Sequence, residues 1–208
     1  NAPLLEPWQR EVVRIVRKVA QYFYPQRQTQ VMNEGWATFW HHKLLNTMYD
    51  DGHLSDGTMV EWLTSHTNVV YRPRVGERAY SGINPYALGF AMYTDIKRIC
   101  DAPTAEDREW FPNIAGKPWL EVLDHAMRNF KDESFVGQYL SPKLMRELRL
   151  FSITDDENDD ELEVSAIHDD AGYRRVREAL AHQYDLGTRE PNIQVWNVNV
   201  RGDRALTL

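Results

Sequence analysis

A chain of 208 residues that is 42% hydrophobic, 12% aromatic and 26% charged is long enough for one or two domains with a sizeable core. Its net charge of -7 argues against a nucleic-acid partner, which would need a surplus of Lys and Arg, and weighs against docking on anionic lipid. The single cysteine, Cys100, rules out an internal disulfide and fits a reducing compartment. With no apolar run of membrane-span length and no signal peptide, a cytoplasmic address is expected.

The first two thirds of the chain read as helices. Pro7 opens the first, in which Trp8, Val12, Val13, Ile15, Val16, Val19, Ala20 and Phe23 recur at helical spacing before Tyr24-Pro25 stops it. A second covers roughly Gln28 to Tyr49 and ends before Asp51-Gly52. A third follows Ser55-Asp56 and runs to about Val69. After a loop over Arg74 to Ile83, Asn84-Pro85 supplies a cap and a first-turn proline for a helix to about Cys100, where the cysteine reads as a small buried hydrophobe. Thr104 and Asp107 form an approximate capping box for a short helix, and further helices are expected from Pro118 to Phe130 and after Ser141-Pro142.

Near Leu148 the pattern changes. Leu150 to Ile153 and Leu162 to Ile167 read as strands, a helix from about Ala171 to Tyr184 carries Tyr173, Val176, Leu180 and Tyr184 on one stripe, and Ile193 to Val200 alternates like a strand before Arg201-Gly202-Asp203 turns into Ala205 to Leu208. The expected fold class is therefore α+β: a mainly helical domain over residues 1–147, then a small ββαββ sheet-and-helix unit over 148–208. The strand-like ending suggests a truncated chain.

Most enzyme signatures are missing. There is no phosphate-binding glycine loop, no G-x-S-x-G, no C-x-x-C and no H-E-x-x-H. The acidic run Asp155 to Asp160 fails as an EF-hand loop, because Asp160 and Ala166 stand where Gly and Glu are required, so it reads as a solvated hairpin tip. Arg201-Gly202-Asp203 reads as a tight turn rather than an adhesion tripeptide.

The second helix is different. Glu34 shares a face with Val31, Ala37, Thr38, His41, Leu45 and Met48, while Trp36, Phe39 and Trp40 occupy the other. A helix apolar on both sides is expected to be buried, which makes Glu34 a buried carboxylate that must be paired, protonated or metal-bound. Gly35 weakens the helix, so a close backbone approach is expected there.

The run Asn33-Glu34-Gly35-Trp36-Ala37-Thr38-Phe39 resembles the helix that carries the third zinc ligand in gluzincin metallopeptidases. That resemblance implies Glu34 as a candidate metal ligand, Zn as the cofactor, Asn33 as a helper, and His41 as an orienting residue or alternative ligand. The two upstream histidines of the gluzincin pattern are not in this chain. The competing reading is a buried ion pair between Glu34 and Arg27 or another arginine, with His41 a core histidine. His66 ends a helix, where the dipole favours a protonated imidazole, and is a weaker candidate. His42, His53, His125, His168 and His182 read as surface or helix-end residues.

Several segments together resemble the SpoVR family (stage V sporulation protein R-like). They are Glu6-Pro7-Trp8-Gln9-Arg10-Glu11, Ala20 to Gln26, Asn33 to Thr38, Gly82 to Gly89, Lys131-Asp132-Glu133-Ser134-Phe135 and Gln194 to Val198. The likeness implies a central-to-C-terminal fragment of a longer protein, a setting in spore cortex formation or stress physiology, and a serine protein kinase and a von Willebrand A-like protein as partners. No catalytic residue can be named. The leading expectation is a divergent zincin-like metal-dependent hydrolase whose other ligands lie in a missing N-terminal region, so the fragment itself is expected to be inactive and to carry no cofactor. The alternative is a non-enzymatic regulatory or scaffold protein in a kinase-linked pathway.

Overall fold

The structure is a computed structural model that describes residues 5–73, 78, 82–150, 153–154, 163–164, 169–187, 197–198 and 206–207. Among these residues helices dominate: α1 (Pro7–Arg27), α2 (Gln30–Asp50), α3 (Asp56–Val69), α4 (Pro85–Asp101), α5 (Ala105–Trp110), α6 (Trp119–Asn129), α7 (Asp132–Tyr139), α8 (Pro142–Glu147) and α9 (Asp170–Gln183).

Local chemistry explains most of the helix starts. Glu6 and Gln9 satisfy each other's backbone amides at the head of α1, where Pro7 needs no amide partner. Ser55, Asn84, Ser141 and Asp169 each accept a backbone N–H in the first turn that follows, and Thr104 with Asp107 forms a full capping box. Asn84 also donates to the carbonyls of Val69 (2.8 Å) and Tyr71 (3.0 Å), tying the end of α3 to the start of α4. Helix α1 runs two residues past Pro25, beyond the expected stop. A proline this close to a helix end forfeits one hydrogen bond without disturbing a following turn.

The core is built around α4. Leu88, Met92, Tyr93, Ile96, Ile99 and Cys100 are fully or almost fully buried at helical spacing, and each such burial contributes about 1.5–3 kcal/mol as an upper estimate. Helix α2 crosses α4 along its length, and α6 packs on a further side of α4. Helix α7 joins the core through Phe135, Val136 and Tyr139. It was not expected from sequence, since eight residues containing Gly137 give little periodicity. Cys100 is buried as expected, and burial pushes its thiol up to about 11.

The expected α+β class with a ββαββ unit is not what forms. Extended pairing among the described residues is confined to two separate two-residue antiparallel ladders, Ile153–Thr154 with Glu163–Val164 and Asn197–Val198 with Leu206–Thr207. They do not join into one sheet. The physical reason lies in α9, whose apolar stripe was assigned to a sheet but packs on α7 instead. Leu180 and Ala181 are buried in the helical core, with Tyr173, Val176 and Tyr184 against it. A helix whose one apolar face is already covered by helices has none left for a sheet. The acidic run, the Arg201-Gly202-Asp203 turn, His168 and most of the expected strand residues lie outside the described residues.

Candidate functional site

The amino end of α2 is held by a residue a hundred positions away. The Asp132 carboxylate, 1% exposed, accepts from the Val31 and Met32 amides, both at 2.9 Å. In return the Asp132 amide donates to the Gln28 carbonyl at 2.8 Å. This tertiary cap replaces a local one, because Thr29 makes no capping bond with its side chain. Burial raises the Asp132 pKa, three amide contacts lower it, and the nearby Glu34 charge adds to the rise.

Glu34 stands one turn further along. Its Oε1 accepts from Gln30 Nε2 at 3.2 Å, while Oε2 is sealed from solvent and has no hydrogen-bond partner. No arginine or lysine pairs with this carboxylate among the described residues, Arg27 included. Its charge, with burial and a hydrogen-bonding contact to Glu34 adding to it, raises the pKa of the Tyr86 phenol at the start of α4. Below Glu34 the backbones of α2 and α4 touch. A Cβ on Gly35 would lie no more than 3.0 Å from the Cα, carbonyl carbon and oxygen of Gly89. The close approach expected at Gly35 is thus made by a second glycine.

The face of α2 that carries Glu34 is buried only at its start. Val31 and Thr38 are inside, Ala37 and His41 are exposed, and Glu34 is half-buried rather than buried as expected, so the helix is not buried all round. Asn33 is exposed and donates to Thr29 Oγ1 at 3.0 Å. His41 lies against Trp62 with ring centroids 6.0 Å apart. His66 meets His42 at 5.0 Å, Phe90 at 4.9 Å and Trp62 at 5.3 Å. These contacts link His66 to His42 and Trp62 rather than to Glu34.

Sequence reading placed His42 on the surface and expected a helix end to keep His66 protonated. Instead, His42 sits centrally between Trp62, His66 and Phe90. Burial lowers the pKa of both imidazoles, and His66 is lowered further by His42 and His41. Desolvation outweighs the helix-end effect because aromatic rings enclose the imidazoles. No group of three or more His, Cys, Asp or Glu side chains among the described residues is arranged to hold a metal ion.

A second polar constellation lies on the far half of α4. Arg98 grips Asp107 with both terminal nitrogens (2.6 and 2.8 Å) and Asp95 with Nε (2.7 Å). Asp95 also accepts from Ser141 Oγ at 2.5 Å, and Asp107 from the Thr104 amide and hydroxyl. Asp95 and Arg98 border an open cleft of about 300 Å³ between α3, α4 and α8, with Arg72, Lys143 and Glu147 at its margin. Every carboxylate oxygen of this pair of aspartates has a partner, so the network locks α5 and α8 onto α4. Of this network only the Asp95–Arg98 pair, three residues apart on α4, is local in sequence; Asp107, Thr104 and Ser141 come from other elements.

Comparison with known proteins gives the lineage. The profile of the family described as "SpoVR like protein" matches residues 1–189. "Uncharacterized protein YcgB" of Escherichia coli (strain K12) is 64% identical over 208 residues, covering 100% of this chain and 41% of that protein. The chain therefore spans about two fifths of the length of the curated relative it matches. No solved structure matches, and no helix among the described residues is long and apolar enough to cross a membrane. A match over nearly the whole chain, together with that identity, places this chain in the SpoVR-like protein family.

Proposed function

We propose that this chain contributes one carboxylate, Glu34, to a metal site whose other ligands come from the remainder of the full-length polypeptide, and that the protein is a divergent zincin-like hydrolase acting in the cytoplasm. The observation that carries this reading is Oε2 of Glu34, sealed from water with no hydrogen bond made to it and no cation paired with it among the described residues, although the Tyr86 phenol lies close enough to feel the carboxylate. A carboxylate oxygen left so is costly, and a divalent cation is one of the few partners that offsets the cost. The donor set among the described residues fits as a single ligand and no more.

The surroundings of Glu34 suit that role. Gln30 fixes Oε1 and leaves Oε2 as the free lone-pair donor. The Gly35–Gly89 contact and the Asp132 cap hold the first turns of α2 rigidly, which keeps the carboxylate oriented. When bound, zinc would supply Lewis-acid polarisation of a carbonyl and acidify a water for attack on a peptide or amide bond. Asn33 and His41, at exposed positions more than two turns apart on the same helix, are placed to meet the remainder of the polypeptide rather than one another.

Metal content of the full-length protein by plasma mass spectrometry, beside its Glu34→Gln variant, tests this reading. Stoichiometric zinc, manganese or iron that falls sharply in the variant is expected. A well-folded full-length protein without bound metal would overturn it.

A further inference from the structure

Helix α1 is the one helix among the described residues with no buried side chain. Its apolar residues nevertheless form a single stripe: Trp8, Val12, Ile15, Val16, Val19 and Phe23 fall within one arc of the wheel, each 47% to 67% exposed. The opposite arc carries Arg10, Arg14, Arg17 and Lys18. A single helix of this length rich in valine is marginal in water without a packed face. Contiguous apolar surface of this kind marks an interface.

We propose that the apolar face of α1 is covered by the portion of the full-length polypeptide that lies outside these 208 residues. The Escherichia coli relative matches this chain end to end with 41% of its length, so more than half of that protein is available to cover the helix. The alternative suggested by the basic arc is an anionic membrane surface. One observation favours a protein cover. Leu44 and Met48 on α2, with Val60 and Leu63 on α3, are also exposed, so the uncovered apolar surface is not confined to α1. The inference holds whether or not Glu34 binds a metal.

The test uses the full-length protein with Val16→Cys, Val19→Cys or Arg17→Cys, reacted with a water-soluble maleimide and read site by site by peptide mass spectrometry. Cys100 is buried and stays silent under these conditions. The expected result is labelling about 100-fold slower at positions 16 and 19 than at 17, independent of protein concentration and of added vesicles. Equal rates at all three positions would overturn the proposal. So would protection that disappears on dilution, which would make the cover a second copy. Protection that appears only with vesicles of anionic phospholipid would overturn it in favour of a membrane surface. Metal removal with a chelator leaves the expected pattern unchanged, so this result and the metal measurement fail independently.

Discussion

Gly35 of α2 and Gly89 of α4 meet backbone to backbone, and neither position has room for a Cβ. A Cβ on Gly89 would in turn run into the Val31 carbonyl oxygen and the Gly35 backbone. The two helices therefore pack at a separation that only glycine permits, which brings Val31, Met32 and Phe39 into the cluster around Leu88, Met92 and Tyr93.

Either Gly35→Ala or Gly89→Ala should force α2 off α4. A loss of about 3 kcal/mol is expected, at the upper end of overpacking costs because backbone rather than a flexible side chain must yield. The midpoint of urea unfolding measures it. Gly116→Ala acts by another route: its Cβ would meet nothing, and any cost comes only from the positive φ of 78°.

Asp132→Ala should cost about 2 kcal/mol, since it leaves the Val31 and Met32 amides buried and unsatisfied. Asp132→Asn keeps one acceptor and should lose less. Amide hydrogen exchange at Val31 and Met32 would rise in both variants; unchanged protection would show that the cap is not what holds α2.

The Arg98–Asp107 pair should dominate the acid limb of stability. Arg98 and the Thr104 hydroxyl and amide hold the Asp107 carboxyl far below the usual carboxylate range. A depressed folded pKa stabilises the protein above the unfolded value of about 3.9, and that contribution is lost as pH falls below it toward the folded value. Asp107→Asn, which leaves Arg98 with Asp95 as its remaining carboxylate partner, is expected to cost about 1–3 kcal/mol at neutral pH and to flatten the pH dependence below about 4. Urea midpoints between neutral and acid pH check both.

His42 and His66 act in a higher window. Their folded pKa values lie below the ordinary imidazole value, so both are neutral in the native state near pH 7. Stability is full above about 6.5 and declines as pH falls through the folded values, because protonation puts two charges within the ring cluster of Trp62 and Phe90. The His42→Gln, His66→Gln double variant should remove this slope. A slope between pH 7 and 5 that survives in the double variant would assign it to other groups.

Much of the helical framework was legible in the residues themselves. Pro7, Ser55, Asn84-Pro85, Thr104 with Asp107, Ser141-Pro142 and the stripe from Tyr173 to Tyr184 mark helix starts and faces through bonds within one or two turns. Such short-range chemistry is set by neighbours in the chain, so the sequence alone determines it. The same pattern also exposed Gly35 as a point of close approach.

What covers what was decided only by the tertiary structure. The stripe of α9 is equally able to face a sheet or a helix, and α7 claimed it, which removed the reason for a ββαββ unit. Asp132 became the cap of α2, and His42 rather than His41 became the centre of the histidine cluster, through contacts between residues distant in sequence. Burial, and with it the direction in which a carboxylate or an imidazole is shifted, belongs to the packed arrangement of several elements, and no single stretch of sequence contains it.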